Sequence, residues 1–97
     1  MGAADGGDID EAVDLDTAQR IRTVSELQQR GDAALATGEL TKAMMSYTQA
    51  VDLDRRNDSG QLATLLAARS TVRLKQGHAA AAEADVQRCA EIGRAHV

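Results

Sequence analysis

Side chains able to do chemistry are few in this chain and widely separated. His78 and His96 are its two histidines. One follows a turn glycine and the other is the penultimate residue, so both read as exposed polar groups. Neither shares with the single cysteine, Cys89, the paired spacing of a tetrahedral zinc site. Cys89 falls on an apolar helical stripe with no adjacent base or helix N-terminus to activate it, and reads as a small core hydrophobe. Asp52, Asp54, Asn57 and Asp58 suggest a calcium loop, but Arg56 occupies the third ligand position and Asn57 the required glycine. No phosphate-cradling glycine loop and no Ser/His/Asp set is present. Paired carboxylates need a pocket to act as acid and base, and a chain of this size offers little cavity. The expectation is a protein that is not an enzyme and takes no cofactor and no metal. Arg69 and Arg73, four residues apart, would share one helix face. They suit an acidic partner, or a solvated or internally paired face; the second reading is preferred.

These residues must be positioned by helices. The 97 residues include nineteen alanines and no proline, phenylalanine or tryptophan, and Tyr47 is the one aromatic. Alanine loses no side-chain entropy in a helix. Ile21, Val24, Leu27, Gly31, Ala34 and Leu35 recur at three- and four-residue intervals, after a capping-box spacing at Asp16 and Gln19. Gly38 ends that helix. A second is predicted over 40–53 with Ala43, Met44, Tyr47, Ala50, Val51 and Leu53 inward, which turns Met45 outward. A polar turn follows, with Asp58 or Ser59 to cap a third helix over 60–76 (Leu62, Leu65, Leu66, Arg69, Val72, Leu74). Gly77 separates this from a fourth over 79–92, carrying Ala82, Val86, Cys89 and Ala90. Short links between them predict antiparallel hairpins.

Charge is split along the chain. Residues 1–16 hold six acids and no base, and the remainder holds eleven bases against nine acids. The glycine-rich acidic tail, 1–15, cannot bury enough apolar surface to offset the entropy of ordering it, so disorder is expected there. Solubility is its simplest role, a contact with the basic body or a partner the sharper one. The helical domain is placed at 16–95. No dense basic stripe or stacking aromatics suggest nucleic acid, no run is long and apolar enough to span a bilayer, and no signal-peptide pattern opens the chain. A cytoplasmic protein, without nucleic-acid or membrane partners, is the expectation.

The chain also repeats itself at a shift of 39 residues. Leu27 falls on Leu66, Arg30 on Arg69, Gly31 on Ser70, Leu35 on Leu74, Gly38 on Gly77, Ala43 on Ala82, Tyr47 on Val86, Leu53 on Ile92 and Arg55 on Arg94. Glycine meets glycine at the turns, and small meets small where helices would cross. Repeat one covers about 16–54 and repeat two about 58–94. Tyr47 and Val86 would fill the space between hairpins.

The pattern Leu27, Gly31, Gly38, Ala43, Tyr47, echoed by Leu66, Ser70, Gly77, Ala82 and Val86, resembles the tetratricopeptide repeat. The resemblance covers about 24–95. It departs at Arg55 and Arg94, where the family has proline, at Ala34 and Arg73, and in a period of 39 rather than 34. It implies an all-α fold: two helix–turn–helix hairpins, four antiparallel helices, in a short right-handed solenoid. The segments 27–32, 46–50 and 61–65 are most similar to the repeats of chaperone cofactors of the myosin-chaperone type, which hold an acidic peptide tail in a carboxylate clamp. Gln28 stands where that clamp has lysine, and Asp32 and Ala68 stand where it has asparagine. The resemblance therefore implies the fold and a binding role without that clamp.

In such solenoids the first helix of each hairpin lines a concave face, which here would carry Gln28, Asp32, Leu35, Thr64, Ala67, Ala68, Thr71 and Lys75. The expected function is an adaptor, co-chaperone-like, that binds a protein, peptide or helix with some apolar character. The alternative is a structural module: two repeats leave the fourth helix uncovered, and a homodimer stacking those faces would cover it. A three-helix trafficking domain of the microtubule-interacting type has similar helix motifs, but the 39-residue self-match asks for four helices.

Overall fold

The computed structural model describes the backbone of residues 2–95 and the side chains of residues 16–94. It consists of α1 (Gly2–Ala36), α2 (Leu40–Leu53), α3 (Leu62–Lys75) and α4 (Ala79–Ala95). No strand occurs among the described residues. α1 packs on α2, α2 on α3 and α3 on α4. The chain is thus all-helical, with packed pairs formed by neighbours in sequence.

Both hairpin turns are built in the same way. The Gly38 N–H donates to Leu35 O (3.1 Å) and the Glu39 N–H to Ala34 O (2.8 Å). Thirty-nine residues on, Gly77 donates to Leu74 O (3.0 Å) and His78 to Arg73 O (2.8 Å). Each pair is a Schellman cap, which requires a left-handed residue just past the helix. Gly38 (φ 79°) and Gly77 (φ 83°) supply it. The next helix then starts identically, with Ala43 donating to Glu39 O and Ala82 to His78 O, both at 3.0 Å. The repeat read from residue types is therefore also a repeat of backbone hydrogen bonds.

The hairpins meet through α2 and α3. On α3 the stripe Leu62, Leu65 and Val72 is buried, while its counterparts on α1, Thr23, Glu26 and Ala33, are exposed. On α2, Tyr47, Val51 and Asp54 are buried, while their counterparts on α4, Val86, Ala90 and Gly93, are exposed. Residues of the same register are inside or outside according to whether the other hairpin lies against them. This corrects the expectation for Val86, which is 52% exposed and fills no space between hairpins. Leu53 and Leu74, assigned to inward stripes, are also exposed. The core joins both hairpins through Val24, Leu27, Tyr47, Val51, Leu65, Leu66 and Val72. Met44 packs on this core and Met45 faces outward.

Helix bounds differ from expectation at four ends, the end of α3 (Lys75 rather than residue 76) by a single residue. α3 starts at Leu62 rather than at residue 60, because residues 54–61 form their own hydrogen-bonded loop. The buried Asp54 carboxylate accepts from the Ser59 N–H (3.0 Å) and the Ser59 hydroxyl (2.7 Å). Asn57, in the left-handed region at φ 60°, accepts from the Leu62 N–H through its side chain. Ser59 accepts from the Gln61 N–H, and Asp58 holds Arg20 of α1 at 3.0 Å, so neither alone caps α3. α4 continues to Ala95, past Gly93, and α1 begins at Gly2 rather than Asp16. The tail expected to be disordered, 1–15, lies outside the residues whose side chains are described.

Candidate interaction surface

The residues expected to line a concave face come from α1 and α3. Asp32, Thr64, Ala67, Thr71 and Lys75 are exposed, and Gln28, Leu35 and Ala68 are half-buried. Leu35 and Ala68 pack against the common core, one from each hairpin. Of these residues, Leu35 and Ala68 are thus rooted in the core, while the exposed ones are polar apart from Ala67. Thr71 donates to Ala67 O (3.2 Å), which ties its hydroxyl to its own helix.

Asp32 has a structural partner. The Tyr47 hydroxyl donates to its carboxylate. Tyr47 is fully buried. Burial, then the hydrogen bond to Asp32 and the charge of that carboxylate, push the phenol well above its usual range. The ring packs directly against Gly31. A Cβ at that glycine would sit 2.6–2.8 Å from three ring atoms, so the helix crossing requires glycine. Ala43, buried on α2, keeps the same crossing narrow.

The second hairpin is fastened differently. Arg69 forks onto Asp85 through Nε (2.9 Å) and Nη2 (2.7 Å). Arg73 reaches the same carboxylate at 3.2 Å and also donates to Ala81 O. Asp85 is 3% exposed. Arg69 and Arg73 are thus paired internally, the reading preferred from sequence. Asp85 itself was missed: its signal is its place on the inner side of α4, one turn after Ala82 and one turn before Cys89. Ser70, the counterpart of Gly31, folds its hydroxyl back onto Ala67 O at 2.7 Å. Cys89 is half-buried and donates to Ala63 O at 3.4 Å.

A second surface was not foreseen. A groove of about 510 Å³ runs between α1 and α2, with no residue of α3 in its lining. Leu27, Ala33, Ala34 and Met45 form its apolar lining, with Arg30, Lys42, Ser46 and Gln49 along it. Its counterpart positions in the second hairpin hold the Arg69–Asp85–Arg73 cluster. The sequence signal was the repeat itself, since Ser46 stands 39 residues before Asp85.

Among the described residues, no cluster of three or more metal-ligating side chains occurs, and no helix is long and apolar enough to cross a membrane. Nor, among the described residues, does any buried side-chain nitrogen or oxygen lack a hydrogen-bond partner. Comparison of the chain with protein-family profiles, curated proteins and solved structures finds no match.

Proposed function

We propose that this chain is a protein-interaction module of tetratricopeptide type, an adaptor whose concave α1–α3 face takes a peptide or helix of partly apolar character. The observation that carries this reading is the turn-for-turn repeat: two hairpins with the same Schellman closure and the same small-residue crossings. A repeated helical hairpin offers an extended face rather than a closed cavity, and extended faces suit linear partners. The half-buried Leu35 and Ala68 would receive apolar side chains of the partner. Asp32, held by Tyr47, puts a carboxylate where the related clamp has asparagine. That charge disfavours an acidic tail as ligand.

The test is a selection from a peptide library followed by amide-shift mapping of the selected peptides. Shifts centred on Gln28, Leu35, Ala68 and Thr71, lost in Ala68→Arg, support the reading. Selected peptides that shift other residues, or no selection above background, contradict it.

A further inference from the structure

At one place the frame shared by the two hairpins is filled in one and open in the other. Arg69 holds the Asp85 carboxylate in a two-pronged contact. The same positions of the first hairpin are Arg30 and Ser46. Serine supplies no carboxylate, and among the described residues none pairs with Arg30. The space between them is the α1–α2 groove, floored by Leu27 and Ala34 and edged by Met45, which is 58% exposed. Lys42 adds a second cation, 3.6 Å from Glu39, which also lines the groove, so Arg30 is the cation there without a carboxylate among the described residues. A group suited to this groove combines apolar side chains with a carboxylate that can fork onto arginine.

The chain itself contains a segment of that chemistry. Residues 8–16 read Asp-Ile-Asp-Glu-Ala-Val-Asp-Leu-Asp, with five acids, no base and apolar Ile9, Val13 and Leu15 between them. The groove of its own copy is out of reach. α1 is one helix from Gly2 to Ala36, and at 1.5 Å per residue the middle of the segment stands about 30 Å from the groove. A second copy has no such restriction. Two α1 helices running antiparallel and crossing near Arg22 set the 8–16 segment of each over residues 28–36 of the other, with Asp14 opposite Arg30.

We propose that the protein forms a two-fold dimer in which the acidic segment Asp8–Asp16 of each copy lies in the α1–α2 groove of the other. One of its carboxylates takes the place on Arg30 that Asp85 takes on Arg69. The contact is the same patch on both copies, so it closes at two and does not propagate. The charge division within the chain, acidic ahead of residue 17 and net basic behind it, favours this exchange and makes it salt-dependent. It uses neither the concave α1–α3 face nor the outer face of α4, and stands independently of the proposed ligand site.

Sedimentation velocity of the full chain over a range of concentrations tests this, with helix content monitored by circular dichroism. The wild type is expected to dimerise, more weakly in high salt. Arg30→Glu is expected to weaken the dimer by roughly tenfold or more. Ser46→Asp, which gives Arg30 a carboxylate from its own hairpin, is expected to do the same while keeping the fold. Adding Asp10→Lys and Asp14→Lys to Arg30→Glu should bring the dimer back. A wild type that stays monomeric overturns the proposal. So does a dimer indifferent to Arg30→Glu and Ser46→Asp, or one dissociated only by Val86→Lys, which would move the contact to α4.

Discussion

The first hairpin is closed by shape and the second by charge. In the first, a fully buried aromatic ring rests on a glycine and its hydroxyl reaches a surface carboxylate. In the second, where Ser70 and Val86 stand at those positions, a buried aspartate is shared by two arginines. The turns and helix starts are the same. A common backbone frame therefore does not require a common fastening: each crossing needs only to be narrow and to leave no buried polar group unpaired. The two fastenings should fail differently. A packed ring tolerates loss of its polar partner. A buried ionic cluster does not, because the remaining charges are stranded.

The largest effect is expected at Asp85. Asp85→Ala leaves Arg69 and Arg73 facing each other without a counter-ion and should cost about 3–5 kcal/mol, read by urea unfolding followed by circular dichroism. A domain this small is expected to lose most of its stability. Replacing the whole group by apolar residues, Arg69→Met and Arg73→Met with Asp85→Leu, should recover most of that loss; a triple variant as unstable as Asp85→Ala would show that the cluster contributes attraction and not only neutrality. Gly31→Ala comes next. The new methyl collides with the Tyr47 ring, at a cost of about 1–3 kcal/mol, partly offset by alanine's better helix propensity. Copying the second hairpin, Gly31→Ser with Tyr47→Val should lose less than the sum of the single changes. An additive result would separate the two positions.

Smaller effects come from the polar end of Tyr47. Because it is the one tyrosine, absorbance at the tyrosinate band reports it alone. A free phenol ionises near pH 10, whereas this one is held protonated in the fold, first by burial and then by Asp32. The sign follows: the folded state binds the proton more tightly, so the full contribution to stability is present below the unfolded pKa. It falls as pH rises above that value. Tyrosinate should appear late, together with unfolding, and Tyr47→Phe should remove this part of the alkaline loss of stability. Asp32→Ala should cost about 1 kcal/mol and bring tyrosinate formation to lower pH. The smallest change is expected for Lys42→Ala, whose exposed pairing with Glu39 should leave the urea midpoint within error.

Much of the frame was legible in the residues. The positions of Gly38 and Gly77, the small crossings at Gly31 and Ala43, and the buried parts of the stripes on α1, α2 and α3 follow from helical period and turn chemistry. What was not legible depends on which helix lies next to which. Val86 and Tyr47 share a register, yet one is exposed and the other buried, because α3 covers α2 and no described helix covers α4. Asp85 looks like any acid on an amphipathic helix until Arg69 and Arg73 are set across from it. The α1–α2 groove is equally invisible, since its lining comes together only when α1 and α2 are packed, with Ser46 where the second hairpin has Asp85. The Asp54–Ser59 loop, which delays the start of α3, is a local contest between side-chain hydrogen bonds and the first helical turn.

The equivalence of the hairpins is tested most directly by moving the fastening of one into the other. Ser46→Asp places a carboxylate where the second hairpin has Asp85, opposite Arg30. A double-mutant cycle between Ser46→Asp and Arg30→Ala, measured by urea unfolding at low protein concentration, reads whether the two groups meet. The repeat predicts a favourable coupling on the order of 0.5–1 kcal/mol, reduced from a buried pair by the exposure of Arg30. A coupling of zero within error would mean that the frames agree at their turns and diverge where the side chains meet.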